Sequence, residues 1–337
     1  MKSGRSKLDK WDDLRMQVFN NPTQNEIKIA AKALKDGNLV AFPTETVYGL
    51  GADAENEKAV SRIYSVKDRP TDHPLIVHIS SAKQLGNWAR NVPDYAKKLA
   101  DEYWPGPMTL ILKRSELAKD FITGGQENVG LRVPSQPVAL ALLNEFESYG
   151  GFGVAAPSAN KFGAVSPTSS DAVADELSES LEVNDLILNG GLCQVGIEST
   201  IINCLGDAPS ILRPGAITLE MISALLGIKH IHQNPIMEVK VSGNQNKHYA
   251  PKANILINTE PKKGEGLIAL EMIKTPVGVK RLLAPSNSKE FAEGLYGAFR
   301  LGDKLNLTVI NIYVPEHIGL GVAINDRIKK ASYKSNP

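Results

Sequence analysis

Lys67-Asp68-Arg69-Pro70 sets two cations two residues apart, between a helix signal and the apolar run Leu75-Ile76-Val77-His78. That spacing suits a phosphate chain, since Arg binds oxyanions bidentately and Lys supplies a point charge; a solvated Lys/Arg pair is the alternative. His73 and His78 flank the same run, as ligands or as packed rings. Pro157-Ser158-Ala159-Asn160 follows a strand signal, and Ser166-Pro167-Thr168 comes soon after. Hydroxyls and an amide at the C-terminal end of a strand can donate to phosphate oxygens or a ribose, or close Asx and ST turns. Arg132, in Gly130-Leu131-Arg132-Val133-Pro134, lies in an apolar strand. A guanidinium there needs an anion, either a substrate carboxylate or a structural Asp or Glu. Pro43-Thr44-Glu45-Thr46-Val47-Tyr48 places hydroxyls and a carboxylate between a strand and a glycine turn, to line a pocket or to cap that turn. Gly196-Ile197-Glu198-Ser199-Thr200 and Leu212-Arg213-Pro214-Gly215 complete the polar segments.

Other chemistries lack their residues. Three segments approach a dinucleotide fingerprint, at Gly49-Leu50-Gly51, Gly151-Phe152-Gly153 and Gly319-Leu320-Gly321. None combines a strand before the glycines, a helix opening within them and an acidic ribose ligand, so turn and packing glycines are the better reading. There is no Walker A sequence, no G-x-S-x-G elbow and no HExxH. Two cysteines, Cys193 and Cys204, make neither a disulfide framework nor a four-cysteine zinc site, and His230-x-His232 lacks partner ligands. No metal ligands are expected from protein side chains. Lys and Arg total 38 against 37 Asp and Glu, a net charge of +1 in 337 residues, which excludes a polybasic nucleic-acid binder. No apolar run reaches membrane-spanning length. The basic start MKSGRSKLDK has no apolar segment after it, so a reduced, soluble, cytoplasmic protein is expected.

The elements that must position these residues alternate. Thr23-Gln24-Asn25-Glu26 reads as a capping box, Ile27, Ala30, Ala31 and Leu34 as one helical stripe, and Gly37 as its C′ residue. Further helices are expected at 58–65, 94–103, 138–146, 170–177 and 219–226. Strands are expected at 39–42, 74–79, 108–113, 130–133, 153–156, 186–188 and 199–203. After a long aperiodic stretch from Gly227 to Lys252, a smaller alternation begins: strand 254–258, helix 289–300, strand 308–314 and helix 322–330. The pattern predicts an α/β protein of two domains. Residues 1–22 are read as an N-terminal extension, 23–217 as the catalytic domain, 218–252 as a linker or lid and 253–337 as a C-terminal α/β domain.

Taken in order, the segments resemble one family. KDRP with PSAN fits the KxR…SxN signature of the YrdC family, and PTETVYGLG, HPLIVHI, WPGPMTLIL, VGLRVP, GIEST and LRPG fall in that family's order across Glu26–Gly215. KHYAPKA at Lys247–Ala253 and the tail GLGVAINDRIKKA resemble the long two-domain members, which are L-threonylcarbamoyladenylate synthases. The resemblance implies a YrdC-like open, twisted mixed sheet with helices and a concave basic cavity, plus a smaller Rossmann-like C-terminal domain. It implies that L-threonine, bicarbonate and ATP, with Mg²⁺, are joined into threonylcarbamoyl-AMP, which a tRNA threonylcarbamoyl transferase uses to modify tRNA position 37. By the same resemblance Lys67, Arg69, Ser158 and Asn160 serve catalysis. Thr46, His78, Arg132, Ala156 and Ser199 would bind L-threonine. Arg69, His73, Asn128, Ser158, Ser166, Arg213 and Tyr249 would bind ATP. A related domain occurs in hydrogenase maturation proteins, but those carry cysteine zinc motifs that two cysteines cannot supply. The near-neutral charge leaves little for direct tRNA binding.

Overall fold

The computed structural model describes residues 17–228, 232–233 (backbone only), 239–241, 243 and 248–333. Its first helix shows how local chemistry sets the boundaries. In α1 (Gln24–Lys35), Thr23 Oγ1 accepts from the Glu26 amide while the Glu26 carboxylate accepts from the Thr23 amide at 2.7 Å. At the other end Gly37 takes φ +89, and the Gly37 and Asn38 amides close onto the Leu34 and Ala33 carbonyls. This is the Schellman arrangement that the sequence signals. The stripe Ile27, Ala30, Ala31, Leu34 is buried against the helix Pro137–Ser148 and the sheet.

Among the described residues one mixed sheet has eleven strands. They are β1 (Gln17–Asn20), β2 (Val40–Phe42), β3 (Gly49–Asp53), β4 (Ile76–His78), β5 (Met108–Lys113), β6 (Asn128–Arg132), β7 (Val154–Ala155), β8 (Leu186–Asn189), β9 (Thr200–Asn203), β10 (Ser210–Arg213) and β11 (His232–Gln233). Their order is β1-β8-β2-β3-β7-β4-β6-β5-β9-β10-β11. Helices α2 (Glu57–Lys67), α3 (Leu85–Trp88), α4 (Asp94–Tyr103), α5 (Asp120–Thr123), α6 (Pro137–Ser148), α7 (Ser170–Leu177) and α8 (Leu219–Leu226) connect the strands. The C-terminal part has β12 (Asn254–Ile257), β13 (Gly266–Ile268), β14 (Lys280–Leu283), α9 (Ser288–Lys304), β15 (Val309–Ile312) and α10 (Leu320–Ala331). Its sheet is wholly parallel, in the order β12-β15-β13-β14. The C-terminal core of Phe291, Leu295, Tyr296, Phe299 and Ile324 continues without a break onto Val47, Val165 and Ile197 of the larger part.

The mixed α/β architecture is the expected one, with local differences. Residues 17–20, assigned by the sequence to an N-terminal extension, pair in parallel with β8; four residues of mixed polarity give too short a periodic signal to read. Within the stretch read as linker, α8 buries Ile222 in the larger core, and Tyr103 Oη donates to the Met221 carbonyl at 3.1 Å. Helix α2 runs on through Lys67, where Asp68 turns the chain at φ +53. The strands β10, β13 and β14 carry no clean alternation in sequence. The first glycine segment is strand β3, not a turn: a Cβ on Gly51 would stand 2.7 Å from Val154 Cγ1 and 2.8 Å from Phe42 Cε1. His230 lies outside the described residues.

Two glycines make opposite expectations. Gly51→Ala forces a side chain into packed neighbours and should lower stability by about 1–3 kcal/mol. Gly297, exposed in the interior of α9 with nothing within 4 Å of its Cβ position, should gain about 0.5–1 kcal/mol as Gly297→Ala. Urea midpoints of the two variants against the parent read both signs.

Candidate active site

Parallel β4 and β6 end in register, His78 opposite Arg132. Side chains two apart in a strand share a face, so Ile76 and His78 on β4, with Arg132 beside them, form a floor. Antiparallel β7 adds Ala156, Pro157 and Ser158 at its end, and the β2–β3 loop adds Thr44, Thr46 and Val47. The far wall is Glu198 and Ser199 before β9, Arg213 at the end of β10, and Gly243, His248 and Tyr249. The cavity measures about 550 Å³ counted to its mouth. Among its described lining residues are three arginines, Arg69, Arg132 and Arg213, and a single carboxylate, Glu198. Burial lowers the Arg69 guanidinium to about 10 and pulls Arg213 down too, leaving both cationic at neutral pH.

Each arginine is held by oxygens. Arg132 Nη2 donates to Glu45 Oε1 at 2.7 Å, Nη1 to Thr46 Oγ1 at 2.9 Å and Nε to the Gly106 carbonyl at 3.3 Å. Glu45 also accepts from the Ser135 amide at 3.0 Å. The structural carboxylate that the sequence left open therefore exists, and one N–H on each terminal nitrogen remains for a second anion. Thr44 Oγ1 donates to the Val47 carbonyl at 2.6 Å, so the Thr46 hydroxyl is the donor in its 2.8 Å contact with Thr44. Arg69 donates to the Pro74 carbonyl at 2.9 Å and lies 5.5 Å from the Phe162 ring. Arg213 donates to Ser199 through its carbonyl and hydroxyl, both at 3.0 Å, and Ser199 Oγ meets Thr109 Oγ1 at 2.8 Å. Burial, with Arg132 beside it, lowers His78 to about 3, a neutral ring whose Nδ1 has no partner among the described residues.

The KxR…SxN residues divide. Arg69 and Ser158 reach the cavity wall. Lys67 is fully buried beneath the Pro157–Asn160 turn, and its ammonium donates to the Ser158 carbonyl at 2.6 Å and to the Asn160 carbonyl. Burial, then the nearby Arg69 charge, holds that amine well below the usual lysine range. Asn160 staples the same turn, donating to Lys161 and Ala164 carbonyls at 2.7 and 3.0 Å. Thr46, His78, Arg132, Ala156 and Ser199 come together on the wall, as do Arg213 and Tyr249. Ser166 stands behind it, donating to Glu198 at 2.6 Å. His73 packs edge-on against Phe162, off the wall. Asn128 begins β6, about 13 Å from Arg132 by strand rise, paired with Lys113.

Tyr249 sits at φ +60, a conformation that costs a bulky residue about 1–3 kcal/mol and persists where the surroundings fix it. Its ring stacks on Tyr296 (centroids 5.8 Å apart) and lies 5.3 Å from the Arg327 guanidinium. The sequence segment KHYAPKA thus gives His248 and Tyr249 to the wall and runs on to Ala253 in the C-terminal core, with Lys247 outside the described residues.

The Sua5/YciO/YrdC family profile, described as "Telomere recombination", matches residues 32–215, and the profile "Threonylcarbamoyl-AMP synthase, C-terminal domain" matches 217–332. The chain belongs to the threonylcarbamoyl-AMP synthase family, in its two-domain Sua5 form. It is 39% identical to the threonylcarbamoyl-AMP synthase of Pyrococcus abyssi over 91% of this chain and 94% of that one. With the Bacillus subtilis threonylcarbamoyl-AMP synthase it shares 36% over 98% of each. The crystal structure of P. abyssi Sua5 complexed with L-threonine superposes at TM-score 0.85 with 36% identity, covering 94% of this chain and 97% of that one. Escherichia coli YciO, at TM-score 0.51 and 26% identity, covers 59% of this chain. Another P. abyssi Sua5 structure carries alanine in place of a consecutive His-Tyr pair (TM-score 0.83, 35% identity); His248-Tyr249 is the only such pair in this synthase-family chain.

The sequence read Glu45 only as a pocket-lining or turn-capping carboxylate and assigned no role to Glu198, Thr109, Tyr296 or Arg327. Glu45 and Glu198 had a partial signal: buried arginines demand carboxylates and both lie in polar segments, but Arg132 and Arg327, with which they pair, are 87 and 129 residues away. Arg327 and Thr109 had none, because their neighbours in space are distant in sequence. Burial alone would raise the Glu198 carboxyl, but Arg327, Arg213 and the Ser166 hydroxyl hold it down to about 2. A carboxyl depressed from 4.5 stabilises the fold above its unfolded value and loses that contribution as pH falls through the folded one. Between pH 6 and pH 3 the parent should therefore lose about 2 kcal/mol more than Glu198→Gln. Denaturant midpoints across that range check it, and equal slopes would sink the assignment.

Proposed function

We propose that this chain is an L-threonylcarbamoyladenylate synthase, a nucleotidyltransferase that joins L-threonine, bicarbonate and ATP with release of pyrophosphate and water. The observation that carries the reading is the arginine-rich cavity in a family of this name: a floor built for a small carboxylate beside a wall built for phosphates. Arg132 would take the threonine carboxylate with its remaining N–H groups. The threonine hydroxyl would then meet Thr46, His78 and Ser199, and valine would leave the His78 Nδ1 without a partner, so valine is rejected. Threonine's amine adds to bicarbonate, water leaves, and a carbamate oxygen attacks the α-phosphorus as pyrophosphate departs. Such a substitution needs alignment and charge neutralisation more than covalent help from the protein.

Arg69 and Arg213 are the cations proposed to face the phosphates, with Ser158 donating beside them. Lys67 and Asn160 are proposed to act one step back, fixing the turn that presents Ser158. His73, Ser166 and Asn128 are proposed at the edge of the nucleotide at most, since none is on the wall. Among the described residues no cluster of three or more His, Cys, Asp or Glu could hold a metal. Mg²⁺ is proposed to arrive on the triphosphate, where it would neutralise phosphate charge. Tyr249 is proposed to cover the nucleotide and keep water from a hydrolysable mixed anhydride. The product would pass to a threonylcarbamoyl transferase acting on tRNA position 37. No helix among the described residues is long and apolar enough to cross a membrane, and a cytoplasmic setting is proposed with this role.

The protein incubated with ATP, Mg²⁺, L-threonine and bicarbonate should yield threonylcarbamoyl-AMP by mass spectrometry, and none when threonine or bicarbonate is omitted. Arg132→Ala should lower kcat/KM for threonine at least 100-fold while nucleotide affinity stays within about threefold. Lys67→Ala, which frees the Ser158 turn, should abolish most product. Nucleotide binding without product under every substrate condition would refute the synthase reading.

A further inference from the structure

Met108 to Leu112 of β5 are all buried, and Thr109 is the one polar residue among them. Side chains two apart in a strand share a face, so Thr109 sides with Ile111, and the pairing of β5 with β9 sets it opposite Ile201. Those two isoleucines belong to an apolar cluster with Val239 and Val241. A valine would fill the same place in shape. The Thr109 hydroxyl has one partner among the described residues, Ser199 Oγ at 2.8 Å. The main chain around Ser199 is placed from elsewhere: Arg213 Nε donates to its carbonyl at 3.0 Å and Arg327 Nη2 to the preceding Glu198 carbonyl at 3.4 Å. What those bonds leave open is the direction of the Ser199 proton. A hydroxyl has one proton and two lone pairs, and Arg213 Nη2 donates into Ser199 Oγ at 3.0 Å. Were Ser199 to donate to Thr109, the Thr109 proton would be buried with no acceptor among the described residues, the cost of an unsatisfied donor. With Thr109 as the donor, Ser199 accepts twice and its own proton is left for the cavity that it lines. A second hydroxyl pair has the opposite sense. Thr46 gives its proton to Thr44 and accepts from Arg132, which leaves a lone pair on the wall.

We propose that Thr109 is a positioning residue that fixes Ser199 as a hydrogen-bond donor toward the hydroxyl of the amino-acid substrate, and thereby sets the preference for threonine over hydroxyl-free amino acids. It rests on the synthase reading for the identity of that substrate. A donor at Ser199 and an acceptor at Thr46 are both satisfied by a group that accepts and donates, as an alcohol does; a methyl group in its place satisfies neither. Thr109 is not on the wall and acts through Ser199 alone.

The test is calorimetric titration of the full-length protein with L-threonine, with α,β-methylene-ATP plus Mg²⁺, and, by competition against threonine, with L-2-aminobutyrate, which lacks only the hydroxyl. Thr109→Val should weaken threonine about tenfold and change aminobutyrate and the nucleotide analogue less than twofold. Thr109→Ser, which keeps the hydroxyl, should stay within about threefold of the parent for threonine. In a Ser199→Ala background Thr109→Val should cost nothing further, because one acts through the other. Equal losses of threonine and aminobutyrate, an unchanged threonine affinity, or a Thr109→Ser variant no better than Thr109→Val overturn the proposal. If Thr109→Val does not fold, Thr109→Cys, whose thiol is a weak donor, should weaken threonine at least threefold with aminobutyrate unchanged; no change overturns it. Parent protein that binds threonine and the analogue yet makes no product refutes the synthase reading, while the Thr109 effect on threonine still decides this one; parent protein that binds no threonine overturns this one.

Discussion

Keeping guanidinium groups out of water is the constraint from which the rest of this structure follows. Arg69, Arg132, Arg213 and Arg327 are all buried, and an unpaired charge at any of these places would cost several kcal/mol. The fold meets that cost in two ways. Arg132 and Arg327 each own a carboxylate, Glu45 and Glu198, bonded at 2.7 Å. Arg69 and Arg213 lean on main-chain carbonyls at Pro74 and Ser199. Carbonyl dipoles satisfy N–H groups without cancelling the charge. Arg132 combines both kinds of partner, since its Nε also donates to the Gly106 carbonyl.

The same logic explains Lys67. A lysine two residues from a cavity arginine reads as a second phosphate ligand, because sequence shows separation and not direction. Helix α2 runs through Lys67, and Asp68 then turns the chain in the left-handed region. The turn sends Arg69 toward the cavity and leaves Lys67 pointing under the Ser158 turn. Two short contacts to main-chain carbonyls make the lysine a peg. Its first task is to hold the turn that carries Ser158.

Much of the fold was legible because its signals are local. The capping box at Thr23, the glycine at 37 and the apolar stripe between them are complete within fifteen residues, and helices at 94–103, 170–177 and 219–226 have the bounds the pattern predicts. Short strands such as β1, β13 and β14 were not legible, since three or four residues carry no period and their pairing partners are remote. The site was legible as a set of segments, not as an arrangement. Arg132 announced its need for an anion, but the choice of Glu45 depends on the β2–β3 loop folding over the end of β6. Arg327 sits in a helix whose sequence is an ordinary amphipathic stripe; only the docking of α10 against Glu198 gives it a role.

That docking also bears on why one side of the cavity is built from two parts of the chain. The floor of Thr46, His78 and Arg132 is made by strand ends and one loop of the larger sheet. The opposite wall includes His248 and Tyr249, which belong to no strand of that sheet. Tyr249 is held in a strained backbone conformation, and the groups that surround its ring, Tyr296 and Arg327, come from the C-terminal helices. This part of the wall is thereby placed by packing against the C-terminal helices and not by a signal in its own sequence.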